Sequence, residues 1–123
     1  MIRIVGVQRN EVAQQEFILL QNQGSLRLNL RGHMLMSDCT LDTADLAKST
    51  HLFRDDILIP PGNYIILYSG GGEPHWAKTK DQQLVYYAYM NRPATVWSAC
   101  TGPMHVLSPH HTYAERREAL VLR

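Results

Sequence analysis

The stretch that decides the fold is "EFILLQNQGSLRLNLRGHMLMSD", residues 16–38, in which apolar runs are interrupted twice by turn-forming residues. The first run ends at Asn-Gln-Gly (22–24), the second begins at Leu26, and the third follows Gly32. Side chains alternate between the two faces of a strand, so a run that is apolar at every position predicts a strand covered on both faces. Glycine permits a sharp change of direction before the third run. The stretch therefore predicts three strands in close succession.

Further runs with strand patterns lie on both sides of this stretch. They are "MIRIVGV" (1–7), "HLF" (51–53), "YIILYS" (64–69), "LVYYAYM" (84–90), "ATVWSA" (94–99) and "MHVLS" (104–108). The clearest turn is "PPGN" (60–63), because proline presets φ and glycine accepts positive φ. Residues 112–123 suit either a helix or a strand, and we favour a terminal strand. We therefore expect an all-β chain of about seven to nine short strands, a sandwich or small barrel.

Length and charge narrow the class of protein. A chain of 123 residues predicts a single domain over residues 1–123. The net charge of +1 argues against a protein that binds nucleic acid mainly by neutralising phosphates. No apolar run reaches the roughly 18 residues of a membrane span. The N-terminal residues do not follow the pattern of a signal peptide, so we expect a cytoplasmic protein.

The chain contains two cysteines, Cys39 and Cys100. Two free or buried thiols are the favoured interpretation, and one disulfide between them is the alternative, which would require an oxidising compartment. A chain of this length buries enough surface to fold without a covalent link. We therefore predict that a disulfide is not required for folding.

The order of the strand patterns resembles the lamin tail domain. The matching segments are "IRIVGV", "EFILLQNQG", "LNLRGHMLMSD", "LIPPGNYIILYSGGG" and "VWSACTGPMHVL", which follow one another over nearly the whole chain. The sequence departs from the family at His33, where the family has tryptophan, at Pro103, where it has aspartate, and at "SPHH" (108–111), which replaces a turn. The resemblance implies an immunoglobulin-like β-sandwich and a non-catalytic interaction or accessory module.

Motifs for chemistry are weak in this sequence. Six histidines are present, and three of them, His105, His110 and His111, lie near the C-terminal end. Their spacing matches no known zinc motif, and adjacent histidines on a strand point to opposite faces. Asp55 and Asp56 diverge for the same reason. We therefore expect no enzyme, metal or cofactor. The rival hypothesis is a small hydrolase or metal-dependent enzyme that uses the His-rich end.

The best candidates for partner binding lie in and near a long polar loop, residues 70–83. Trp76, Lys78, Lys80 and Arg92 combine a rigid aromatic ring with positive charge, and such residues dominate binding energy at protein interfaces. We predict a protein partner that binds through loops or a sheet edge. The alternative for Trp76 is that its ring folds back over the end of the sandwich.

Two other groups of aromatic residues can be interpreted from their patterns. Trp97 lies between apolar neighbours and is predicted to be buried in the core. Tyr86, Tyr87 and Tyr89 suggest base stacking and weak DNA binding as a third hypothesis. The near-neutral charge instead favours tyrosines that pack on a sheet.

Overall fold

The computed structural model describes residues 1–42, 46–99 and 102–111. Within these ranges the chain is mostly strand, and its helical segments are 3-10 turns of three to five residues. The prediction of an all-β chain is confirmed. Residues 112–123, for which a terminal strand was predicted, lie outside the described part. No helix among the described residues is long and apolar enough to span a bilayer.

The described residues form ten strands, one more than the upper end of the predicted range. They are β1 (Ile2–Gln8), β2 (Phe17–Asn22), β3 (Leu28–Asn29), β4 (Met34–Ser37), β5 (Thr50–Leu52), β6 (Leu58–Ile59), β7 (Tyr64–Tyr68), β8 (His75–Lys78), β9 (Leu84–Tyr89) and β10 (Met104–Leu107).

The strands are arranged in three sheets. A five-stranded sheet has the order β1-β2-β7-β9-β8, a three-stranded sheet has the order β10-β4-β5, and β3 pairs with β6. All neighbours are antiparallel except β7 and β9, which run parallel. The pairing of β1 with β2 shifts register between Ile4 and Gly6, so Val5 has no paired residue on β2.

Residues 16–38 supply one strand to each of the three sheets, namely β2, β3 and β4. The change of direction before β4 occurs at Gly32, whose φ of +91° favours glycine. The turn predicted at 60–63 is also present. Asn63 N–H donates to Pro60 O, and Gly62 has a φ of +84°.

One apolar core joins the three sheets. Along each strand of the five-stranded sheet, side chains that point to the core alternate with side chains that point outward. The buried core residues are Ile2, Ile18, Leu20, Leu30, Leu35, Phe53, Ile59, Ile65, Leu67, Tyr86, Ala88 and Trp97. Leu35 comes from the three-stranded sheet and Ile59 from the two-stranded one, so neither small sheet is peripheral.

The polar turn after β2 depends on a buried asparagine. Asn22 is fully buried, and its Nδ2 donates to Leu26 O and Ile59 O, each at 2.9 Å. Its Oδ1 accepts from the backbone N–H of Gly24 at 3.0 Å. A buried amide needs such partners to offset its lost hydration. Asn22 therefore ties the end of β2 to β6, which explains a polar residue within an apolar stretch.

Three expectations about local structure are wrong. Residues 75–78, predicted to be loop, form β8, and residues 94–99, predicted to be strand, contain none. Cys39 is disulfide-bonded rather than a free thiol. The other cysteine of the chain, Cys100, lies outside the described residues. The burial predicted for Trp97 is confirmed, with 1% of its surface exposed.

Candidate functional site

The outer face of the five-stranded sheet carries a group of aromatic side chains. Phe17 of β2 pairs with Tyr68 of β7, Tyr68 pairs with Tyr89 of β9, and Tyr87 of β9 pairs with His75 of β8. Alternation places all five on the side opposite the core. We call these five residues the aromatic face. They come from four strands, β2, β7, β9 and β8, which the hydrogen-bonded pairing of the sheet places side by side.

Four rings of the aromatic face lie nearly parallel to one another, whereas Phe17 is tilted by 58° to Tyr68. Tyr68 lies 6.3 Å from Tyr87 and 5.8 Å from Tyr89, measured between ring centroids, with interplanar angles of 13° and 16°. His75 stacks on Tyr87 at 4.7 Å and 10°. These spacings lie within the roughly 4.5–7 Å between ring centroids that is typical of aromatic pairs in proteins.

A crevice of about 210 Å³ opens among these rings. Its lining consists of Gln14, Tyr68, Gly71, Tyr87 and Tyr89. No lining side chain is charged, and the polar groups are phenol hydroxyls and one amide. The crevice suits a neutral ligand that combines apolar surface with hydrogen-bonding groups.

The glycine run at 70–72 positions one wall of the crevice. A Cβ at Gly72 would lie 2.5 Å from the ring of Tyr89, so only glycine allows the chain to approach this closely. The Gly72 N–H donates to Asn91 Oδ1 at 3.0 Å, and the Asn91 N–H donates to Gly70 O at 3.1 Å. The loop is thus fixed against the end of β9.

Tyr68 of β7 and Tyr86 of β9 both have a raised pKa, in different surroundings. Burial raises the pKa of Tyr68, and the neighbouring Tyr87 and Tyr89 raise it further. The phenol of Tyr68 therefore stays protonated and able to donate at physiological pH. Tyr86 points to the core side instead, where burial and a 2.7 Å hydrogen bond to Asp55 raise its pKa.

The predicted partner-binding residues do not form one cluster. Trp76 lies in β8, is 38% exposed, and packs its ring 5.3 Å from that of Tyr86. Lys78 ends the same strand opposite Leu84, and Lys80 lies in the turn that follows. Arg92 lies beyond the other end of β9, where its guanidinium donates to Ala47 O at 2.7 Å. The structure therefore groups Trp76 with the two lysines and separates Arg92 from them.

The histidines and paired acids of the sequence are dispersed. His33 is fully buried, and its Nδ1 donates to Leu30 O at 3.0 Å. His105 contacts Asp38 on the surface. Asp55 accepts from Tyr86, whereas Asp56 accepts from Asn29 at 2.5 Å, so the two adjacent acids point to different partners. Among the described residues, no three His, Cys, Asp or Glu side chains are grouped to hold a metal ion.

A buried acid that the sequence did not reveal links three segments. Glu16 precedes β2 and is fully buried. Its Oε1 accepts from Ser69 Oγ at 2.6 Å, from Val96 N–H at 2.7 Å and from Trp97 N–H at 3.0 Å. These three hydrogen bonds join the residue before β2 to Ser69 and to the segment around Trp97, whereas the buried Oε2 has no hydrogen-bond partner among the described residues.

Comparisons of the chain with protein-family models, curated proteins and solved structures returned no match.

Proposed function

We propose that the protein is a non-catalytic interaction module of the lamin-tail type, with an immunoglobulin-like sandwich, that binds a protein partner at the β8 edge. The observation that carries this proposal is the position of Trp76. This large aromatic side chain is 38% exposed on a strand at the edge of a sheet. Exposed rigid aromatics at such positions are typical anchors of protein interfaces.

The backbone of β8 supports the same interpretation. Within the described ranges, β8 pairs with β9 alone, and it is the last strand of its sheet. The outer edge of such a strand presents N–H and C=O groups to which an extended segment can pair. Trp76 and Lys78 share one face of β8, so a partner segment that pairs there meets an aromatic ring and a positive charge together.

Charge near this edge indicates the chemistry of the partner. Lys78 and Lys80 are both exposed, and neither is paired with an acid among the described residues. An extended segment with acidic residues near one end and an apolar residue opposite Trp76 fits this arrangement. The core shared by the three sheets supports the sandwich, because it buries one face of the five-stranded sheet beneath the smaller ones.

The test compares partner capture by three proteins. Wild type, the triple variant Trp76→Ala/Lys78→Ala/Lys80→Ala, and Arg92→Ala are immobilised at equal amounts, after circular dichroism shows that each is folded. We expect wild type and Arg92→Ala to retain the same proteins from native lysate, and the triple variant to lose them. Equal capture by all three would contradict binding at β8.

A second measurement addresses catalysis and DNA binding. We expect no turnover of ester, phosphate or glycoside substrates, and elution from heparin at low salt. Turnover combined with no captured partner would favour the hydrolase hypothesis instead. Salt-dependent retention that is lost in the triple variant would favour nucleic acid.

A further inference from the structure

The crevice of the aromatic face has no role in the interaction proposed for β8. It opens on the outer face of the sheet, whereas Trp76 packs on Tyr86, whose side chain belongs to the core face. The rings of Tyr68, Tyr87 and Tyr89 are each partly exposed. A sheet that packs one face on the core and exposes the other to solvent normally carries polar residues on its exposed face. A group of aromatic rings on the outer face therefore indicates a surface that receives a ligand.

The chemistry of the crevice selects among ligand classes. Its lining contains no charged side chain, which disfavours phosphates, nucleic acids and acidic sugars. Three phenols and the amide of Gln14 supply both donors and acceptors. The aromatic rings supply apolar surface on which C–H groups pack. A ligand that fits is therefore neutral and combines hydrogen-bonding groups with apolar surface.

We propose that this crevice binds one residue of a neutral saccharide. Sugar rings combine a C–H surface with several hydroxyl groups, which is the combination that tyrosines and an amide complement. The volume of about 210 Å³ supports a single ring, since pockets for drug-sized ligands measure roughly 300–1,000 Å³. The remaining residues of an oligosaccharide would lie outside the crevice.

The walls of the site are set before any ligand binds. Gly72 packs against Tyr89, and His75 stacks on Tyr87, so two of the three rings are held from outside the crevice. The third ring, that of Tyr68, packs against Phe17, with 5.5 Å between the two ring centroids. Rings that are already fixed lose little conformational entropy on binding, which leaves more of the interaction energy for affinity.

The test measures the affinity of the whole chain for defined sugars. The probes are neutral hexasaccharides of glucose, mannose, galactose and N-acetylglucosamine, with heparin as the anionic comparison, and binding is measured by titration calorimetry. We expect at least one neutral probe to bind and heparin not to compete. Tyr87→Ala and Tyr89→Ala should each weaken that binding about tenfold.

Two sets of variants separate the site from the fold. Tyr68→Phe, Tyr87→Phe and Tyr89→Phe keep the rings but remove the hydroxyls, and should weaken binding less than the alanine variants. Tyr64→Ala is the matched control, because Tyr64 lies on the same face but outside the crevice lining.

The Trp76→Ala/Lys78→Ala/Lys80→Ala variant should bind sugar normally, which keeps this test independent of the β8 proposal.

Two results would overturn the proposal. One is that wild type binds none of the neutral probes, or binds heparin in their place. The other is that Tyr64→Ala, Tyr87→Ala and Tyr89→Ala, all shown to be folded, have the same affinity as wild type, which would put the sugar elsewhere.

Discussion

The carboxylate of Glu16 accepts a 2.6 Å hydrogen bond from Ser69 Oγ, although 53 residues separate the two in the chain. Both side chains are fully buried. The same oxygen of Glu16 also accepts from the backbone N–H groups of Val96 and Trp97. A single carboxylate thus fixes the segment around Trp97, which has no strand of its own, against β2 and β7.

Replacing this carboxylate should be costly. We expect Glu16→Ala to lower the free energy of unfolding by about 3 kcal/mol, because it leaves buried backbone donors without an acceptor. Glu16→Gln keeps an oxygen at this position and should lose about 1 kcal/mol. Urea denaturation of the three proteins measures both values. A loss below about 1 kcal/mol in Glu16→Ala would show that another group satisfies these donors.

Truncation of Trp97 should also destabilise the protein. Its side chain is 1% exposed and belongs to the common core. We expect Trp97→Ala to lose on the order of 3–5 kcal/mol, the usual effect of removing a large buried aromatic. Chemical denaturation checks this, with Trp76→Ala as the matched control. Similar losses in both variants would contradict the difference in burial.

Stability should fall as the solution becomes more acidic. Burial lowers the pKa of His51 to about 4, although Asp55 opposes this, and burial also lowers the pKa of His33. The unfolded chain then binds more protons than the folded one below pH 6.5, so stability is fully present above this pH. We expect about 2 kcal/mol from His51 to be lost between pH 6.5 and 4, after allowance for its partial exposure.

The contribution of His51 can be isolated by substitution. Thermal melting at a series of pH values should show a shallower decline for His51→Leu than for wild type. His75→Leu serves as the control, since His75 lies exposed on the outer face. Parallel pH profiles for wild type and His51→Leu would show that His51 is not the group responsible.

Reduction should weaken the protein without unfolding it. Cys39 is disulfide-bonded and exposed, and it is not part of the apolar core. A disulfide typically contributes about 2–4 kcal/mol, against total stabilities of about 5–15 kcal/mol. We expect a cooperative melting transition to persist at lower temperature in reductant and in Cys39→Ser. Loss of the transition would show that the disulfide is required.

The disulfide also affects the expected location of the protein. The sequence predicted a cytoplasmic protein, but disulfides persist mainly in oxidising compartments. Loss of folding on reduction would therefore favour a protein that functions outside the cytoplasm. Retention of folding in reductant would be compatible with the cytoplasmic prediction.

Strands with long apolar runs could be predicted from sequence, whereas strands that depend on pairing with a neighbour could not. β2, β7 and β9 each bury side chains in the core, so their pattern is strong. β8 reads His-Trp-Ala-Lys and buries no residue, and its pairing with β9 determines its conformation. The segment 94–99 has a strand-like pattern, but Glu16 binds its backbone donors in place of a neighbouring strand.

Only part of the crevice could be predicted from the sequence. Alternation in "LVYYAYM" indicates that Tyr87 and Tyr89 share a face, and that Tyr86 faces the other way. Their proximity to Tyr68 depends on the parallel register of β7 and β9, which no local pattern specifies. Gln14 enters the lining from a 3-10 turn before β2. Such contacts arise from topology rather than from propensity.

The passage of residues 16–38 through all three sheets has a consequence for local opening. In many proteins, separate sheets exchange their amide hydrogens as separate units with different free energies of opening. Here β2, β3 and β4 follow one another along a single segment, and Asn22 bonds its end of β2 to β6. Opening of any one sheet therefore disturbs the adjoining strand of the next sheet along this segment. The slowest-exchanging amides of the three sheets should therefore share one opening reaction, that of global unfolding.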